Sequence, residues 1–356
     1  MTIILSNEDI RPLVGMTEYM EALESAFADL ADGKAITRPR SHTYSPIDEE
    51  KHYMFKTMDG SIPRYGVQAL RLTSDVVREH VQDGKLRREK IPAAGGKWVG
   101  LVLLFSIHTG EPLAIMQDGY LQRMRVGATS GIAAKHMSRP DTRRIGMYGT
   151  GWQAGAQLMA LKEVRDLEDI KVYSTRPEHR ERFAAEMRTE LGLPIRAVDS
   201  PRKAAEGVDM IVCATNSLDP VFQGEWLRPG MHVNSINGGE LDAETIRRSE
   251  VIGVRSRVIS SHWAVPGLQP KQMTKGVVFK EEDNEKIQEL GEIVLGRAPG
   301  RTSAEQITLF GGSGTGGSSG LGIQFAAVAY RIYENAKRLG AGRHVPTDWF
   351  LEDVHP

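Results

Sequence analysis

A glycine-containing turn, inside the stretch "RRIGMYGTGWQAGAQ", narrows the fold of this chain more than any other segment. It follows an apolar run, leads into a helical pattern and has the form G-x-G-x-x-A, with the residues Gly149, Thr150, Gly151, Trp152, Gln153 and Ala154. In such a turn the first glycine allows a sharp bend, the second lets the backbone approach a pyrophosphate, and the alanine keeps the helix close to the strand. A second apolar run about 20 residues further on supplies the context that the motif requires. We therefore predict that residues 149–153 contact a dinucleotide; the alternative is a turn that binds nothing.

The segments after residue 143 support this interpretation. Short apolar runs such as "RIGMYG", "IKVYS", "DMIVCAT" and "EVIGV" alternate with helical patterns such as "WQAGAQLMALKEV" and "PEHRERFAAEMRTEL". That alternation is typical of a parallel sheet with crossover helices. We predict an α/β fold with a Rossmann domain at residues 126–309.

The rest of the chain has a different pattern. Residues 16–33 and 120–137 have helical spacing, and the runs "WVGLVLLFS" and "PLAIMQ" flank a Gly- and Pro-containing turn that predicts a hairpin. The polar stretch 76–97 predicts a long exposed loop. Because the hairpin and the first helix need a partner layer, we expect residues 1–125 to join residues 310–356 in a second, α+β domain that binds substrate.

Composition excludes several classes of function. A length of 356 residues is enough for about two domains. The formal net charge of −1 offers no field for nucleic acid or an anionic membrane, and no apolar run reaches the roughly 18 residues of a membrane span. The start of the chain lacks the features of a signal peptide, and the single cysteine, Cys213, fits a reducing compartment, so we expect a cytoplasmic protein. The ten histidines show no paired metal-ligand spacing, and we predict no metal site.

The end of the second strand indicates the cofactor. An NAD site usually has an acidic residue there, on the ribose hydroxyls. This chain instead has "STRPEHR", with Ser174, Thr175 and Arg176. Two hydroxyls and a guanidinium group suit a 2′-phosphate, so we predict NADP(H) in preference to NAD(H). The alternative is that Arg176 is a solvated loop residue and that the cofactor is NAD.

Several further segments carry a resemblance to a known family: "LLFSIHTGEPLAIMQDGYLQRMRVGATSGIAAKHM", "CATNSLDPVFQGEWLRPGMHVNSIN", "GELDAETI" and "GRTSAEQITLF". With "GTGWQAGAQ" they make nearly the whole chain similar to the ornithine cyclodeaminase/mu-crystallin family, which includes ketimine reductases, pyrroline-carboxylate reductases and some alanine dehydrogenases. The resemblance implies a homodimer built from the second domain. It also implies cofactor contacts from Trp152, Gln153, Ser174, Thr215, Asn234, Ser235 and Ile236.

The same resemblance implies a substrate site. Arg125 matches an arginine that binds the substrate carboxylate, Arg71 stands where the family has a lysine for the same task, and Arg40 matches a further arginine facing the substrate. A bidentate arginine holds a carboxylate in a fixed plane and so fixes the face of the neighbouring carbon. Lys56 is either another anion contact or the proton donor.

Two departures from the family bear on function. The loop "SINGGELDAETI" is shortened, so the aspartate that directs the amine chemistry of cyclodeaminases has no clear counterpart, although Glu240 and Asp242 remain as candidate acids or bases. The glycine-rich run "LFGGSGTGGSSGLGIQF" lacks the lysine and acidic pair of the family. We interpret the run as a loop passing nicotinamide and substrate, with hydroxyls from Ser313, Thr315, Ser318 and Ser319. A disordered flap, or glycines needed for close packing, are the alternatives.

These residues favour an NAD(P)H-dependent reductase or dehydrogenase that acts on a small imino or amino acid. In such a reaction hydride passes between nicotinamide and the carbon next to the carboxylate. The first alternative is a cyclodeaminase-like lyase that releases ammonia with bound NAD. The second is a non-catalytic, NADP-dependent ligand-binding protein.

Overall fold

A computed structural model describes residues 1–82, 85–217, 219–257, 260–265, 279, 281–311 and 320–354. The helices are α1 (Asn7–Ile10), α2 (Met16–Ala31), α3 (Asp118–Met137), α4 (Trp152–Lys162), α5 (Pro177–Leu191), α6 (Pro201–Ala205), α7 (Ala243–Arg248), α8 (Leu290–Val294) and α9 (Gly322–Leu339). The strands are β1 (Thr2–Leu5), β2 (Ile36–Thr37), β3 (Ser41–Pro46), β4 (Lys51–Ile62), β5 (Val67–Gln82), β6 (Lys85–Ile91), β7 (Val99–Ser106), β8 (Pro112–Gln117), β9 (Arg144–Tyr148), β10 (Asp169–Tyr173), β11 (Ile195–Ala197), β12 (Met210–Cys213), β13 (His232–Ser235), β14 (Val251–Val254), β15 (Ser261–Ala264), β16 (Ile287–Glu289), β17 (Thr308–Phe310) and β18 (Arg343–Val345).

One sheet collects strands mainly from the first part of the chain, in the order β15-β3-β4-β5-β7-β8-β1-β18, with β2 beside β4 and β6 beside β5. Strands β7 and β8 pair in antiparallel fashion, so the predicted hairpin is confirmed. Helix α2 lies at the predicted position, with Tyr19, Leu23 and Phe27 fully buried along one stripe.

The prediction of an exposed loop at residues 76–97 is wrong for the residues of β5 and β6 and right for residues 92–97, which are exposed and lie outside any strand; residues 83–84 lie outside the described residues. Strand β5 continues to Gln82 and pairs in antiparallel fashion with β6. Lys90 lies opposite Val77, which is buried against Tyr44 and Met54. Glu89 and Lys90 are exposed, as charged residues are on many sheet edges, and the number of charged residues in the sequence gives the segment the composition of a loop.

The second sheet is parallel throughout, in the order β11-β10-β9-β12-β13-β17-β14-β16. The strand order runs outward in opposite directions from β9 and from β12, so the topological switch point lies between these two strands. Doubly wound folds bind their ligands at such a point. The expected combination of a Rossmann domain and a second α+β domain is therefore confirmed.

Helix α9 packs on β4 and β5 of the first sheet and against α2. Its start is very close to β4, because a Cβ added at Gly322 would lie 1.8 Å from the carbonyl oxygen of Asp59. Phe325 and Ile332 are fully buried on this face. The last helix therefore completes the layer that covers the first sheet.

Helix α3 is common to both halves of the molecule. It contacts α2 and β7 on one side and α4, β13 and β17 on the other. A Cβ at Gly127 would lie 2.3 Å from the carbonyl oxygen of Ala156, and one at Gly131 would lie 2.8 Å from the Cβ of Ala160, so small residues let α3 and α4 approach closely. The boundary that we placed between residues 125 and 126 falls inside this continuous helix. Strand β15 also departs from our division, since it joins the first sheet beside β3.

Candidate active site

The predicted phosphate-binding turn lies between β9 and α4, at the carboxyl edge of the parallel sheet. Gly149 has a φ of +105°, and a Cβ there would lie 2.3 Å from the carbonyl oxygen of Ala214, so this position requires glycine. Gly151 is the N-cap of α4, no side chain caps that helix, and nothing lies within 4 Å of where its Cβ would be. The open space and the free N–H groups fit a pyrophosphate.

Two side chains flank this turn. Trp152 is 55% exposed, and the guanidinium carbon of Arg123 lies 4.2 Å from the centroid of its indole ring. The Oε1 atom of Gln153 is buried without a hydrogen-bond partner among the described residues. Sequence reasoning did not find Arg123, because its ring partner is distant in the chain.

Ser174, Thr175 and Arg176 follow the end of β10, on the same sheet edge. Thr175 and Arg176 are exposed, and Arg176 is the N-cap of α5. The carbonyl of Ser174 accepts a hydrogen bond from Nη1 of Arg180 at 3.0 Å. In Rossmann domains generally, the residues that follow the second strand are those that meet the adenosine ribose.

Glu240 lies in the loop after β13 and connects the loops at this edge. Its Oε1 accepts a hydrogen bond from the backbone N–H of Thr215, and its Oε2 accepts from Oγ of Ser235 at 2.9 Å and from the N–H of Asn237 at 3.0 Å. The side chain is fully buried. Burial raises the pKa of Glu240 to about 7, although its hydrogen bonds oppose that shift. Its carboxylate positions Thr215 and the end of β13.

Of three other candidates at this edge, Asp242 and Asn234 are held by hydrogen bonds within the protein. Asp242 caps α7, accepting from the backbone N–H of Thr245 at 2.8 Å and of Gly224 at 3.0 Å, so its carboxylate has a structural task. The Nδ2 of Asn234 donates to the carbonyl of Ser130 in α3 at 3.3 Å. Ile236 is half-buried just beyond β13, at the edge itself.

Arg125 lies on α3 and is 5% exposed. Its Nε and Nη2 donate to Oε1 of Gln122 at 3.0 and 2.7 Å, and its Nη1 donates to Oε1 of Gln324 at 3.1 Å. A Cβ at Gly320 would lie 2.8 Å from Nη2, so Gly320, within the glycine-rich run, lies directly against the guanidinium group. Ser313, Thr315, Ser318 and Ser319 lie outside the described residues.

Arg71 pairs with Asp118 and shares a contact with Arg125 on the ring of Phe325. Its Nε and Nη2 donate to Oδ2 of Asp118 at 3.1 and 2.5 Å, and both arginines lie over the ring of Phe325, with guanidinium carbons 5.5 and 5.0 Å from its centroid. Asp118 is a residue that sequence reasoning missed. The structure therefore brings Arg71 and Arg125, two of the three predicted anion-binding arginines, together around Phe325.

Lys56 lies on β4 with its side chain 14% exposed, and its Nζ is 3.3 Å from Oδ2 of Asp75. Nζ of Lys90 is 2.8 Å from the other oxygen of Asp75. Burial would raise the pKa of Asp75, but Lys56 and Lys90 outweigh it and hold that pKa below its ordinary value. Lys56 thus belongs to a buried ion pair.

Arg40 and Arg255 complete a cationic cluster around Arg125. Burial, followed by the positive charges of Arg255, Arg71 and Arg40, holds the pKa of Arg125 well below its ordinary value, while Asp118 opposes them. Arg255 follows β14, is 2% exposed and lies over the ring of Phe310 at 5.2 Å. Sequence reasoning missed Arg255, although an arginine at the carboxyl end of a parallel strand, in "VIGVR", is a usable signal.

The described residues limit two further possibilities. Among them, no group of three or more His, Cys, Asp or Glu side chains is arranged to hold a metal ion. No helix in the described ranges is both long enough and apolar enough to span a bilayer.

The profile of the ornithine cyclodeaminase/mu-crystallin family matches residues 1–340. The chain belongs to this family. The resemblance noted in the sequence is therefore confirmed. Within the family, an alanine dehydrogenase from Archaeoglobus fulgidus is 31% identical, over 97% of this chain and 98% of its own length.

Two solved structures of family members align with nearly the whole chain. The Δ1-pyrroline-2-carboxylate reductase of Thermococcus litoralis, solved with NADH and L-proline, has a TM-score of 0.78 and 32% identity and covers 97% of this chain and 100% of its own. An archaeal alanine dehydrogenase, solved as a dimer with bound NAD, has a TM-score of 0.75 and 28% identity and covers 97% of this chain and 99% of its own.

Proposed function

We propose that this protein is an NAD(P)H-dependent oxidoreductase that transfers hydride between nicotinamide and the α carbon of an imino or amino acid. The observation that carries the proposal is the position of Arg125. Its buried guanidinium group is held by neutral amide oxygens, on a helix that packs against α4, β13 and β17 of the Rossmann half. The similarity to a Δ1-pyrroline-2-carboxylate reductase and to an alanine dehydrogenase supports this choice of reaction.

The residues would divide the work as follows. Arg125 and Arg71 hold the carboxylate in plane, which orients the neighbouring C=N carbon. When bound, the reduced cofactor supplies the hydride for that carbon. The C=N π bond opens as the C–H bond forms, and the nitrogen takes up a proton to give the amine.

For the proton we favour Lys56 as the donor. Lys56 lies opposite Thr73, two residues from Arg71 along β5, so the two side chains share a face of the sheet, and Asp75 keeps the ammonium group in place. Glu240, whose oxygens are hydrogen-bonded within the protein, is a positioning residue for the cofactor edge, and Asp242 is a helix cap. Proton donation by a placed group contributes typically about 10²- to 10⁴-fold in rate.

For the cofactor we propose NADP(H) in preference to NAD(H). The related reductase was solved with NADH, which supports a nicotinamide dinucleotide as the cofactor. The finer choice is supported by the exposed Arg176 and Thr175 beyond β10, where a 2′-phosphate would meet a guanidinium group.

We also propose a homodimer in the cytoplasm. The related archaeal alanine dehydrogenase is a dimer. Cys213 is free and buried, which fits a reducing compartment.

The experiment is a screen for NADPH and NADH oxidation with keto acids plus ammonia or methylamine, and with cyclic imines. Oxidation that depends on the imine supports the proposal. Ammonia release from an amino acid without net cofactor consumption would instead identify a cyclodeaminase-like lyase. Tight cofactor binding without turnover of any substrate would identify a binding protein.

A further inference from the structure

Asp118 has one carboxylate oxygen that the described residues leave unused. It is the first residue of α3, its side chain is 6% exposed, and its Oδ2 accepts both hydrogen bonds from Arg71, at 3.1 and 2.5 Å. Its Oδ1 is buried without a hydrogen-bond partner among the described residues. Leaving a buried polar atom without a partner is unfavourable, and more so for a charged group, so such an atom in a candidate active site indicates a ligand.

The structure gives Asp118 no task at the start of its own helix. An acidic residue in the first turn often serves the free N–H groups there. In α3, however, the N–H of Tyr120 donates to Oδ1 of Asn7 at 2.7 Å, and the carboxylate of Asp118 pairs with Arg71 instead. A Cβ added at Gly100 of β7 would lie 3.0 Å from Oδ2, so the absence of a side chain there lets the carboxylate lie close to the strand.

Asp118 and Arg125 share one face of α3. They are seven residues apart, about two turns, and Gln122 lies between them and accepts two hydrogen bonds from Arg125. Long side chains on a helix lean toward its N-terminus, so the guanidinium group of Arg125 extends toward Asp118. It lies over the ring of Phe325, 5.0 Å from the centroid. Arg71, the partner of Asp118, lies over the same ring at 5.5 Å, so the two charged groups converge.

The two groups differ in the charge that they leave for a ligand. The hydrogen bonds of Arg125 go to uncharged oxygens of Gln122 and Gln324, so its positive charge stays available to an anion. Arg71 is paired through one oxygen of Asp118, and the second oxygen stays available to a cationic N–H donor. An imino acid carries both matching groups on one carbon, a carboxylate and a nitrogen that is positive once protonated.

The other carboxylates of the candidate site are already in use. Each oxygen of Asp75 lies within 3.3 Å of a lysine ammonium group. The oxygens of Glu240 accept hydrogen bonds from neighbouring loops, and Asp242 caps α7. Among the site carboxylates that the structure describes, Asp118 therefore has the oxygen that is left for a substrate.

We infer that Asp118 is a catalytic residue that binds the nitrogen of the substrate. Its Oδ1 accepts the N–H of the protonated imine or of the amine product, while Arg125 binds the carboxylate on the same carbon. The inference rests on the proposed function and adds the group that recognises the nitrogen. No bond to Asp118 forms or breaks: its charge stabilises the positive nitrogen, which makes the C=N carbon a better hydride acceptor.

The first test compares ligands that differ only at the nitrogen. With NADP⁺ or NAD⁺ bound, calorimetry compares L-proline with (S)-tetrahydrofuran-2-carboxylate, and N-methyl-L-alanine with (S)-2-methoxypropanoate. Each pair keeps the carboxylate and replaces a charged N–H group by an ether oxygen. Because hydrogen bonds to charged groups are the stronger ones, the amines should bind about 10- to 10²-fold more tightly. Equal binding, or tighter binding of the ethers, would overturn the inference.

These binding pairs require no turnover, so the two proposals can fail separately. A protein that prefers the amines but oxidises no cofactor with any imine would retain the nitrogen site and lose the proposed function. A protein that reduces imines but binds both members of each pair equally would retain the function and lose the inference.

Asp118→Asn assigns the preference to a residue. The amide keeps the size of the side chain and an oxygen for Arg71, but it has no charge for the nitrogen. The preference for the amines should fall to within about 3-fold, with little change in the binding of the ethers. Turnover of the best imine should fall by about 10²-fold.

The matched control is Asp141→Asn, which neutralises an exposed carboxylate just beyond α3 and should keep the full preference. An unchanged preference in Asp118→Asn, or an equal loss of affinity for amine and ether, would give Asp118 a structural task and reject the inference. If that variant does not fold, the ligand pairs on the unmodified protein decide.

Discussion

At the scale of single residues, Arg125 presents a planar fork that uncharged groups hold from behind. Gln324 accepts from Nη1 and in turn donates through Nε2 to Oγ1 of Thr129 at 2.7 Å, so the orientation of its amide is fixed. A lysine at position 125 would keep the charge and lose the plane. The geometry of the carboxylate, more than its attraction, therefore depends on this residue.

Arg125→Lys should lower turnover by about 10²-fold on the best imine, since a displacement of about 1 Å at the reacting carbon costs that much. NADPH affinity should stay unchanged, because α3 approaches the cofactor helix through glycines rather than through Arg125. Steady-state kinetics and fluorescence titration with NADPH measure the two effects, with the exposed Lys135→Arg on the same helix as the control. Normal turnover with collapsed NADPH binding would move Arg125 to the cofactor site.

Arg176→Asp should weaken NADPH far more than NADH, by about 10²-fold, because one phosphate pair is lost and a repulsive charge is added. Dissociation constants for both cofactors provide the measurement. The matched control is Arg182→Asp, an exposed change on the same helix. An equal loss of affinity for both cofactors would contradict the NADP(H) preference and return Arg176 to solvent.

At the scale of elements, the loops beyond β12 and β13 are joined by one buried carboxyl group. The pKa of Glu240 is raised to about 7, so the folded state favours its protonated form. The stability that this provides is fully present below the ordinary glutamate pKa of about 4.3 and is lost as the pH rises through about 7. The cofactor edge thus carries a pH dependence that no exposed carboxylate would give it.

Glu240→Gln should remove that dependence. Relative to the variant, the unmodified protein should lose up to about 3 kcal/mol of unfolding free energy between pH 4.5 and pH 8. Urea unfolding at several pH values measures the difference. The exposed Glu225→Gln, in the neighbouring segment, should retain the slope of the unmodified protein. Parallel curves for Glu240→Gln and the unmodified protein would show that the carboxyl group titrates normally.

The elements that could be predicted from the sequence are those whose signal lies within a short segment of the chain. Each strand and helix of the Rossmann half carries its own apolar period, and the turn at Gly149 and Gly151 is a short motif. The ribbon of β5 and β6 was missed because its sequence is rich in charged residues, which is also the composition of a loop. Arg255 was missed for another reason: a single arginine gains meaning only when folding places it beside Arg125, far away in the chain.

At the scale of the whole molecule, the proposed homodimer predicts a sedimenting species of twice 39.4 kDa. Analytical ultracentrifugation at micromolar concentration, with and without NADPH, measures it. The sheet built mainly from the first part of the chain is the surface that we expect to be shared. A monomer under all these conditions would contradict the proposal.

Helix α3 also fixes a distance between the two halves of the molecule. Arg125 lies on the same helix as Gly127 and Gly131. These two glycines let α3 pack closely on α4, the helix that follows the predicted phosphate-binding turn. With about 1.5 Å of rise per residue, Arg125 and Gly131 are about 9 Å apart along the helix axis. Under the proposed function, the distance that a hydride must cross depends on how closely α3 packs on α4, which the missing side chains at Gly127 and Gly131 allow. A single methyl group added at Gly127 would push α3 away from α4 and slow hydride transfer, although it lies outside the site.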